Sequence, residues 1–377
     1  MARFDRYLLS QLMVFFGFFA LILVLVYWTN QAVRLFDQLI ADGHSAFVFL
    51  EFTALSLPEV IRAVLPIATF VAVVYTTNRL STESELVVVQ ATGFSGFRLA
   101  RPVLVFGIIV GLLTAVLSHF LVPAASRALA VRSAEIAENI TARFLTEGSF
   151  LHPTDGITFY IREIDQTGKL LDVFLSDSRK PDSQITYTAK TAYLVRHETG
   201  PKLVMLDGIA QTLNFNGDRL STTGFSDFSY DIGTLVNLGK GGRRSSDQMS
   251  TMDLLRASPE TIEETGATAA VLVYAAHKRF SRSLMAIAAA LIGFSSLIVG
   301  SFSRFGVSRR IIFAVILLIV VKAIESGVSG FALGNVARWP LVYLAPLTGV
   351  GFGCTLLWLS ARPAVFDRIL FRNRRMA

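Results

Sequence analysis

Asn78 to Thr92, NRLSTESELVVVQAT, is a short amphipathic stretch wedged between two long apolar runs. Thr82 and Glu85 stand at the S/T-x-x-E spacing of a capping box, Glu83 and Glu85 fall in a first turn where the helix dipole favours carboxylates, and Gly93 supplies a C-terminal stop. The pattern predicts a helix over about 82–92, too short and too polar at its start to cross a bilayer. It is expected to lie at the membrane surface with Leu86 and Val89 turned inward and its acidic end open to a soluble partner. An ordinary capped connector is the plain alternative.

Outward from this stretch the chain is strongly apolar. Hydrophobic residues make up 53% of 377 and the mean hydropathy is +0.54, above what a soluble globular chain carries, so the protein is read as integral to a membrane. Cys354 is the one cysteine, which excludes an intrachain disulfide and a cysteine metal site. The net charge of +7 is not laid out for nucleic acid. Arg3, Arg6, Arg79, Arg98, Arg101, Arg304, Arg309, Arg310, Arg362, Arg368, Arg372, Arg374 and Arg375 fall at span ends that share one side, against only Asp5, Glu83, Glu85 and Asp367 there. With 35 basic and 28 acidic residues in all, the remainder is slightly acidic. This positive-inside bias puts those ends, and both termini, in the cytoplasm.

Six spans are expected. Leu8 to Trp28 is followed by large or polar residues, not a cleavage site, so it stays as a span with Tyr27 and Trp28 as an interfacial belt. The second, about Phe52 to Thr77, contains Pro58, Glu59, Arg62 and Pro66, all costly to expose to lipid; Glu59 and Arg62 are spaced to pair on one helix face. The third, Val103 to Val122, carries Gly107 and Gly111 in a G-x-x-x-G spacing. His119 near its end has no second histidine at metal spacing, and reads as a satisfied interfacial group. The fourth is placed at Ser283 to Phe302, just after a cluster of His277, Lys278, Arg279 and Arg282 that touches lipid head groups or anionic substrate. The fifth, from Ile311 to about Val328, holds Lys322 and Glu325, either a buried pair or a substrate contact, and the sixth, Pro340 to Ser360, offers Gly349 and Gly353 for close packing.

Between the third and fourth spans the pattern changes. After a helical stretch from Ala124 to about Asn139, Gly156–Asp165, Leu170–Asp177, Gln184–Glu198, Lys202–Phe215 and Arg219–Asp231 read as strands separated by turn pairs such as Asp155-Gly156 and Asn216-Gly217. This spacing suggests an antiparallel sandwich or partly open barrel, on the side opposite the arginines. Gly239-Lys240-Gly241 misses the phosphate-loop spacing and reads as a loop. The domains are then 1–123, a first membrane half with the surface helix; 124–268, the β domain with its linkers; and 269–377, a second membrane half with an arginine-rich tail.

Across almost the whole chain these residues resemble the lipopolysaccharide export permease family LptF/LptG, also called YjgP/YjgQ. The resemblance rests on RYL at Arg6–Leu8, LPEVIRAVLP at Leu57–Pro66, TESELVVVQATG at Thr82–Gly93, and a β domain between two groups of three spans. The Thr82–Glu85 run is more similar to the LptF branch than to LptG. What this implies is an α-helical membrane protein of six spans, three plus three, with an inserted jellyroll-like periplasmic domain, sitting in the inner membrane of a Gram-negative bacterium. It implies a non-catalytic half of an ABC exporter that has no cofactor of its own, ATP and Mg belonging to a partner. The implied partners are an LptG-like permease, two LptB-like ATPases, an LptC-like protein and lipopolysaccharide.

The resemblance gives Glu83, Ser84 and Glu85 a coupling role against the ATPase. A phosphorylated, acylated substrate needs cations near the outer leaflet and apolar walls, which makes Arg34, Lys322 and Arg62 the head-group candidates, each with a snorkelling or paired charge as the alternative. Gln31 stands where relatives often have Lys. In the β domain, Phe159, Ile161, Val173, Leu175, Val204 and Leu206 line either an acyl-chain groove or a closed core, and an open sheet edge would accept a partner's strand. The rival readings are an intramembrane enzyme using Glu59, His119 and Glu325, which lie on different spans without a nucleophile or metal set, and a scaffold for envelope assembly.

Overall fold

The computed structural model describes residues 3–41, 46–143, 147–154, 156–165, 167–180, 182–197, 200–215, 219–231, 243–299 and 307–362. Gly239-Lys240-Gly241 and most of the arginine-rich tail lie outside them. The chain divides into two compact units, Ala130–Arg244 and the remainder, Met1–Leu129 with Ser245–Ala377.

The second of these is helical. In order come α1 (Arg3–Ala41), α2 (Ala46–Thr82), α3 (Glu85–Ala91), α4 (Gly96–Val116), a π-turn (Leu117–Leu121), α5 (Val122–Arg143), then α6 (Thr251–Arg256), α7 (Pro259–Thr265), α8 (Ala269–Ile298), α9 (Val307–Ala332), a 3-10 segment (Val336–Tyr343) and α10 (Leu344–Ser360). Among the described residues, six helical segments are long and apolar enough to cross a membrane. α2 runs through Pro58 and Pro66 without interruption.

α8 is the centre of this unit. Four-fifths of its apolar window is buried, against about a tenth for α1 and α9, and its buried face is rich in alanine, from Ala286 to Ala290. Glycines let the neighbours approach. A Cβ on Gly107 would come within 3.2 Å of the Ile287 Cα, and one on Gly111 within 2.9 Å of the Ser283 carbonyl oxygen. From α10, Gly349 and Gly353 meet Ala288 and Leu291 in the same way, each at 2.8 Å. Both glycine pairs noted in the sequence therefore face one helix. The fourth span begins earlier than expected, at Ala269, so His277, Lys278, Arg279 and Arg282 lie inside the helix rather than ahead of it. Residues 245–268, expected as β-domain linker, pack partly on α8 through Met249 and Leu254 against Leu272 and Ala276.

The other unit holds six antiparallel strands in sequential order: β1 (Phe150–Thr154), β2 (Ile157–Ile164), β3 (Leu170–Lys180), β4 (Ser183–His197), β5 (Gly200–Asn214) and β6 (Arg219–Asp231). Five match the expected strands to within a few residues; β1, with its Pro153, carries no alternation and was not expected.

One row interrupts the ladder in every strand from β2 to β6. The pairing jumps from Ile161↔Val173 to Glu163↔Leu171, from Val173↔Ala189 to Leu171↔Thr191, from Ala189↔Gly208 to Thr191↔Leu206 and from Gly208↔Phe225 to Leu206↔Asp227. Two residues in that row, Asp172 (φ 47) and Asp207 (φ 52), are left-handed, a conformation that Asp tolerates better than most residues. Buried positions that should recur every second residue are here three apart, as in Leu170 with Val173 and Ala189 with Ala192.

This row is a fold line. Asp177 lies in a row with Ile185, Thr212 and Ser221, so in a flat sheet Tyr230 would be ~14 Å across and ~30 Å along from it. Its hydroxyl instead donates to Asp177 Oδ2 at 2.9 Å, and Tyr187 stacks on Phe228 with ring centroids 4.9 Å apart. A single meander has been folded across its own strands, and its two halves face each other as the layers of the expected jellyroll-like domain.

Candidate functional site

Three places were expected to carry function, and the connector between α2 and α4 is the first. The capping box does not form. α2 continues to Thr82, whose hydroxyl donates back to the Asn78 carbonyl at 2.9 Å, and Ser84 is the residue before α3, left-handed at φ 64 with no side-chain cap. A helix that has just ended must reverse within two residues, and Ser84 makes that turn. α3 is thus seven residues, Glu85–Ala91. It stops as expected at Gly93, φ +90, whose N–H donates to the Gln90 carbonyl. Leu86 is buried and Val89 packs against the same core, as the amphipathic pattern required. Glu83 accepts from Arg79 Nε at 2.8 Å, and Glu85 from the Tyr7 hydroxyl of α1 at 3.4 Å. Both carboxylates keep most of their acceptor capacity for another molecule.

The second place is polar and lies among α2, α8, α9 and the segment before α6. Arg62, buried, reaches Asp247 at 3.2 Å and Glu59 at 3.5 Å, and Lys322 pairs with Glu325 at 2.8 Å. Arg282 of α8 lies in the field of Arg62, Asp247 and Glu325, and Lys278 in that of Asp247, Glu325 and Lys322. Two of the three head-group candidates, Arg62 and Lys322, thereby belong to one charged cluster built around α8. Arg34 is engaged elsewhere, donating to Gln31 Oε1 at 2.8 Å.

Arg279, grouped in the sequence with lipid-facing cations, has a different duty. It is 2% exposed and its guanidinium donates to the Thr251 hydroxyl, the Ser246 carbonyl and the Met249 carbonyl at 2.8–2.9 Å. It straps the returning chain to α8. Asp247 on α2's side does likewise, and neither role had a sequence signal, since a capped turn at Ser245–Asp247 looks like any polar loop. His119 is half satisfied: Nδ1 lies against the Thr251 hydroxyl at 2.8 Å, while Nε2 is buried with no hydrogen-bond partner among the described residues. Glu59, His119 and Glu325, the acid–base candidates of an enzyme, are each tied to a separate partner.

The third place is the β interior. Phe159, Ile161, Val173 and Leu175 are buried as expected. Val204 and Leu206 are not on that face. Leu203 and Met205, both fully buried, occupy it, because the break in the alternation at Asp207 reverses which parity points inward along β5. These side chains form one apolar cluster between the two layers, whose margin opposite the fold line is the mouth. At the mouth, Asp177 accepts from the Arg179 guanidinium at 2.9 and 2.6 Å and from the Arg179 backbone N–H at 3.1 Å, besides the bond from Tyr230. The Arg179 hydrogen bond holds the Asp177 carboxyl down to about 2, while burial and then the bond to Asp177 push the Tyr230 phenol up.

Residues 6–362 match the model of the family described as lipopolysaccharide export system permease LptF/LptG. The chain is 27% identical over 230 residues to the lipopolysaccharide export system permease protein LptF of Escherichia coli K12, covering 59% of this chain and 61% of that protein. It is 21% identical over 226 residues to the LptG protein of Haemophilus influenzae, covering 55% and 60%. An uncharacterized protein of Rickettsia prowazekii is 27% identical over 199 residues, covering 52% and 55%. The chain spans between 55% and 61% of the length of these relatives.

Proposed function

The chain belongs to the lipopolysaccharide export permease family LptF/LptG, and from that premise we propose that it is a membrane subunit of an ABC exporter in the inner membrane. It extracts lipopolysaccharide and passes it to a periplasmic bridge, using the ATPase of a separate subunit and a homologous LptG-like permease. The observation that carries this reading is the connector: Glu83 in the turn after α2 and Glu85 at the start of a seven-residue helix, which Leu86 packs onto the core of α1, α2 and α4. A protein pushing on Glu83 and Glu85 pushes directly on three candidate spans. The charged cluster of Arg62, Arg282, Lys278 and Lys322 supports an anionic head group as the substrate's polar end, because cations in an apolar setting are retained where an anion must be held.

The orientation follows from the arginine bias, with the connector and both termini cytoplasmic and the β domain periplasmic. The decisive experiment is purification of the chain in mild detergent from its native membrane. Co-isolation of a nucleotide-binding subunit together with lipopolysaccharide, and ATP-dependent release of that lipid to a soluble acceptor from proteoliposomes, is the expected result. A chain that isolates without either, or that hydrolyses ATP alone, overturns the proposal.

A further inference from the structure

The charges around α8 do not balance pair by pair. Lys322 takes Glu325 at 2.8 Å, and Arg62 takes Asp247 at 3.2 Å and the exposed Glu59 at 3.5 Å. Lys278 and Arg282 are left over. They stand four apart on α8, both half-buried, and among the described residues neither makes a hydrogen bond or an ion pair; Lys278 Nζ lies over the Tyr274 ring, 5.4 Å from its centroid. Like charges at that spacing repel, and both cations lie in the field of Asp247 and Glu325. Of those two carboxylates, Asp247 is the one delivered from outside the candidate spans. It stands in a 3-10 turn, Ser246–Gln248, opened by the Ser245 side chain, which accepts from the Asp247 N–H. Arg279 grips the Ser246 and Met249 carbonyls on either side of it, each at 2.9 Å. The backbone there is held without the Asp247 side chain, which is 42% exposed and whose bond to Arg62 is longer than either grip.

We propose that Asp247 is a resident anion that sets the charge a ligand must bring: it occupies Arg62 against singly charged phosphodiester lipids and yields to a phosphate monoester. The inference rests on the reading of this cluster as a head-group site. Selectivity is the difficulty such a site faces, because a bilayer is built largely of phosphodiesters and cations at its depth attract them. A singly charged phosphate arriving at Arg62 exchanges one anion for another. It gains no further pair, and it meets the repulsion of the carboxylate it displaces. A phosphate monoester, as on a phosphorylated sugar, carries close to two charges above pH 7 and three acceptor oxygens. One charge takes over Arg62, and the second supplies Lys278 and Arg282 with the anion they lack. Asp247 turns to water as its contact breaks, while Arg279 keeps the turn in place. The advantage of the second charge is one charge-assisted contact, about ten- to a hundredfold in affinity. A neutral side chain at 247 removes the competitor and opens Arg62, Lys278 and Arg282 to any phosphate.

The test uses the full chain in its exporter, purified in detergent at pH 8 and stripped of lipid, with bound lipid counted by native mass spectrometry. Wild type is expected to bind phosphatidic acid, a monoester, at least ~10-fold more tightly than phosphatidylglycerol of the same acyl chains, a diester. Asp247→Asn, which keeps the backbone grips, is expected to bind phosphatidylglycerol at least ~10-fold more tightly than wild type does, so that the preference collapses, while Asp247→Glu retains it. Arg282→Gln is expected to weaken phosphatidic acid and leave phosphatidylglycerol unchanged. A wild-type protein that binds the two lipids alike, or an Asp247→Asn variant that folds and keeps the wild-type ratio, overturns the proposal. Lipopolysaccharide added to the same preparations separates the two levels: retention by wild type together with an unchanged ratio in Asp247→Asn sinks the resident-anion role alone, while no retention by wild type sinks the head-group reading and this role with it.

Discussion

Glu85→Ala isolates the coupling step because so little inside the chain depends on that side chain. Its one intrachain hydrogen bond described here, from the Tyr7 hydroxyl, is 3.4 Å long and exposed, a contact worth at most ~0.5 kcal/mol. Its place in the first turn of α3 adds about 0.3–1 kcal/mol through the helix dipole. The loss to folding is thus about 1 kcal/mol at most, a small change for a unit whose core includes Leu86, Leu99, Val103 and Phe106. Against a cationic groove on an ATPase the same carboxylate makes a charge-assisted contact worth roughly 1.5–3 kcal/mol, which is about ten- to a hundredfold in affinity.

The two magnitudes separate the roles. Thermal unfolding in detergent is expected to shift by a degree or two, while titration of the nucleotide-binding subunit onto the permease pair weakens by at least ~10-fold and lipid-stimulated ATP hydrolysis falls with it. Glu83→Ala is expected to be milder, since Glu83 already shares its charge with Arg79 at 2.8 Å. Unchanged association and turnover in Glu85→Ala would show that α3 is a plain connector. A large drop in thermal stability would show instead that the exposure argument is wrong and that Glu85 holds the fold.

Arg279→Ala strands the Ser246 and Met249 carbonyls inside the helical unit, and is expected to cost about 3–5 kcal/mol, read as a thermal shift and as new protease cleavage within 245–256. Gly349→Ala drives a methyl to 2.8 Å from the Ala288 Cβ and is expected to cost about 1–3 kcal/mol, whereas Gly351→Ala, with nothing within 4 Å, is expected to be tolerated in the same melt. Asp177 has its folded-state value lowered from 3.8 to about 2 by Arg179, so its contribution, up to about 2 kcal/mol, is complete above pH ~4 and is lost as the pH falls toward 2. Acid titration of the β-unit circular dichroism should therefore show an added loss in that window which Asp177→Asn lacks. Asp207→Gly relieves a left-handed φ of 52 and is expected to be neutral, while Asp207→Val at the same place is expected to cost about 1–2 kcal/mol in the same assay.

How much of this was legible in the sequence differs between the two units for a physical reason. The helices were legible because their apolar length alone forces a membrane setting. Their packing was not, because lipid is as apolar as leucine, and a side chain facing acyl chains reads the same as one facing protein. α1 and α9 are more apolar than the alanine-rich α8, yet they are the least and α8 the most buried of the candidate spans among the described residues. The signal that did survive was size: Gly107, Gly111, Gly349 and Gly353 marked close approaches, and all four converge on α8. The charged cluster was half visible. Lys278, Arg279 and Arg282 were noticed, but only the fold shows that Arg279 is consumed in strapping Ser246 and Met249 while its neighbours are not.

In the β unit alternation found the strands and then misled. A period of two fixes which residues share a face only while the strand is regular. Counting outward along β5 from one end gives Val204 and Leu206, while counting across Asp207 gives Leu203 and Met205, and only a pairing partner decides between them. The same local ambiguity undid the capping box: Thr82 with Glu85 satisfies the spacing, but the helix that precedes it claims Thr82 for its own last turn and leaves Ser84 to reverse the chain. In both places the deciding residue is a short polar one in a left-handed conformation, Asp207 or Ser84. Such residues cost little where they stand, and each redirects every side chain that follows. Asp172 and Asp207 are therefore what turns a flat, two-faced meander into two facing layers, and Ser84 what turns one long helix into a candidate span and a short second helix.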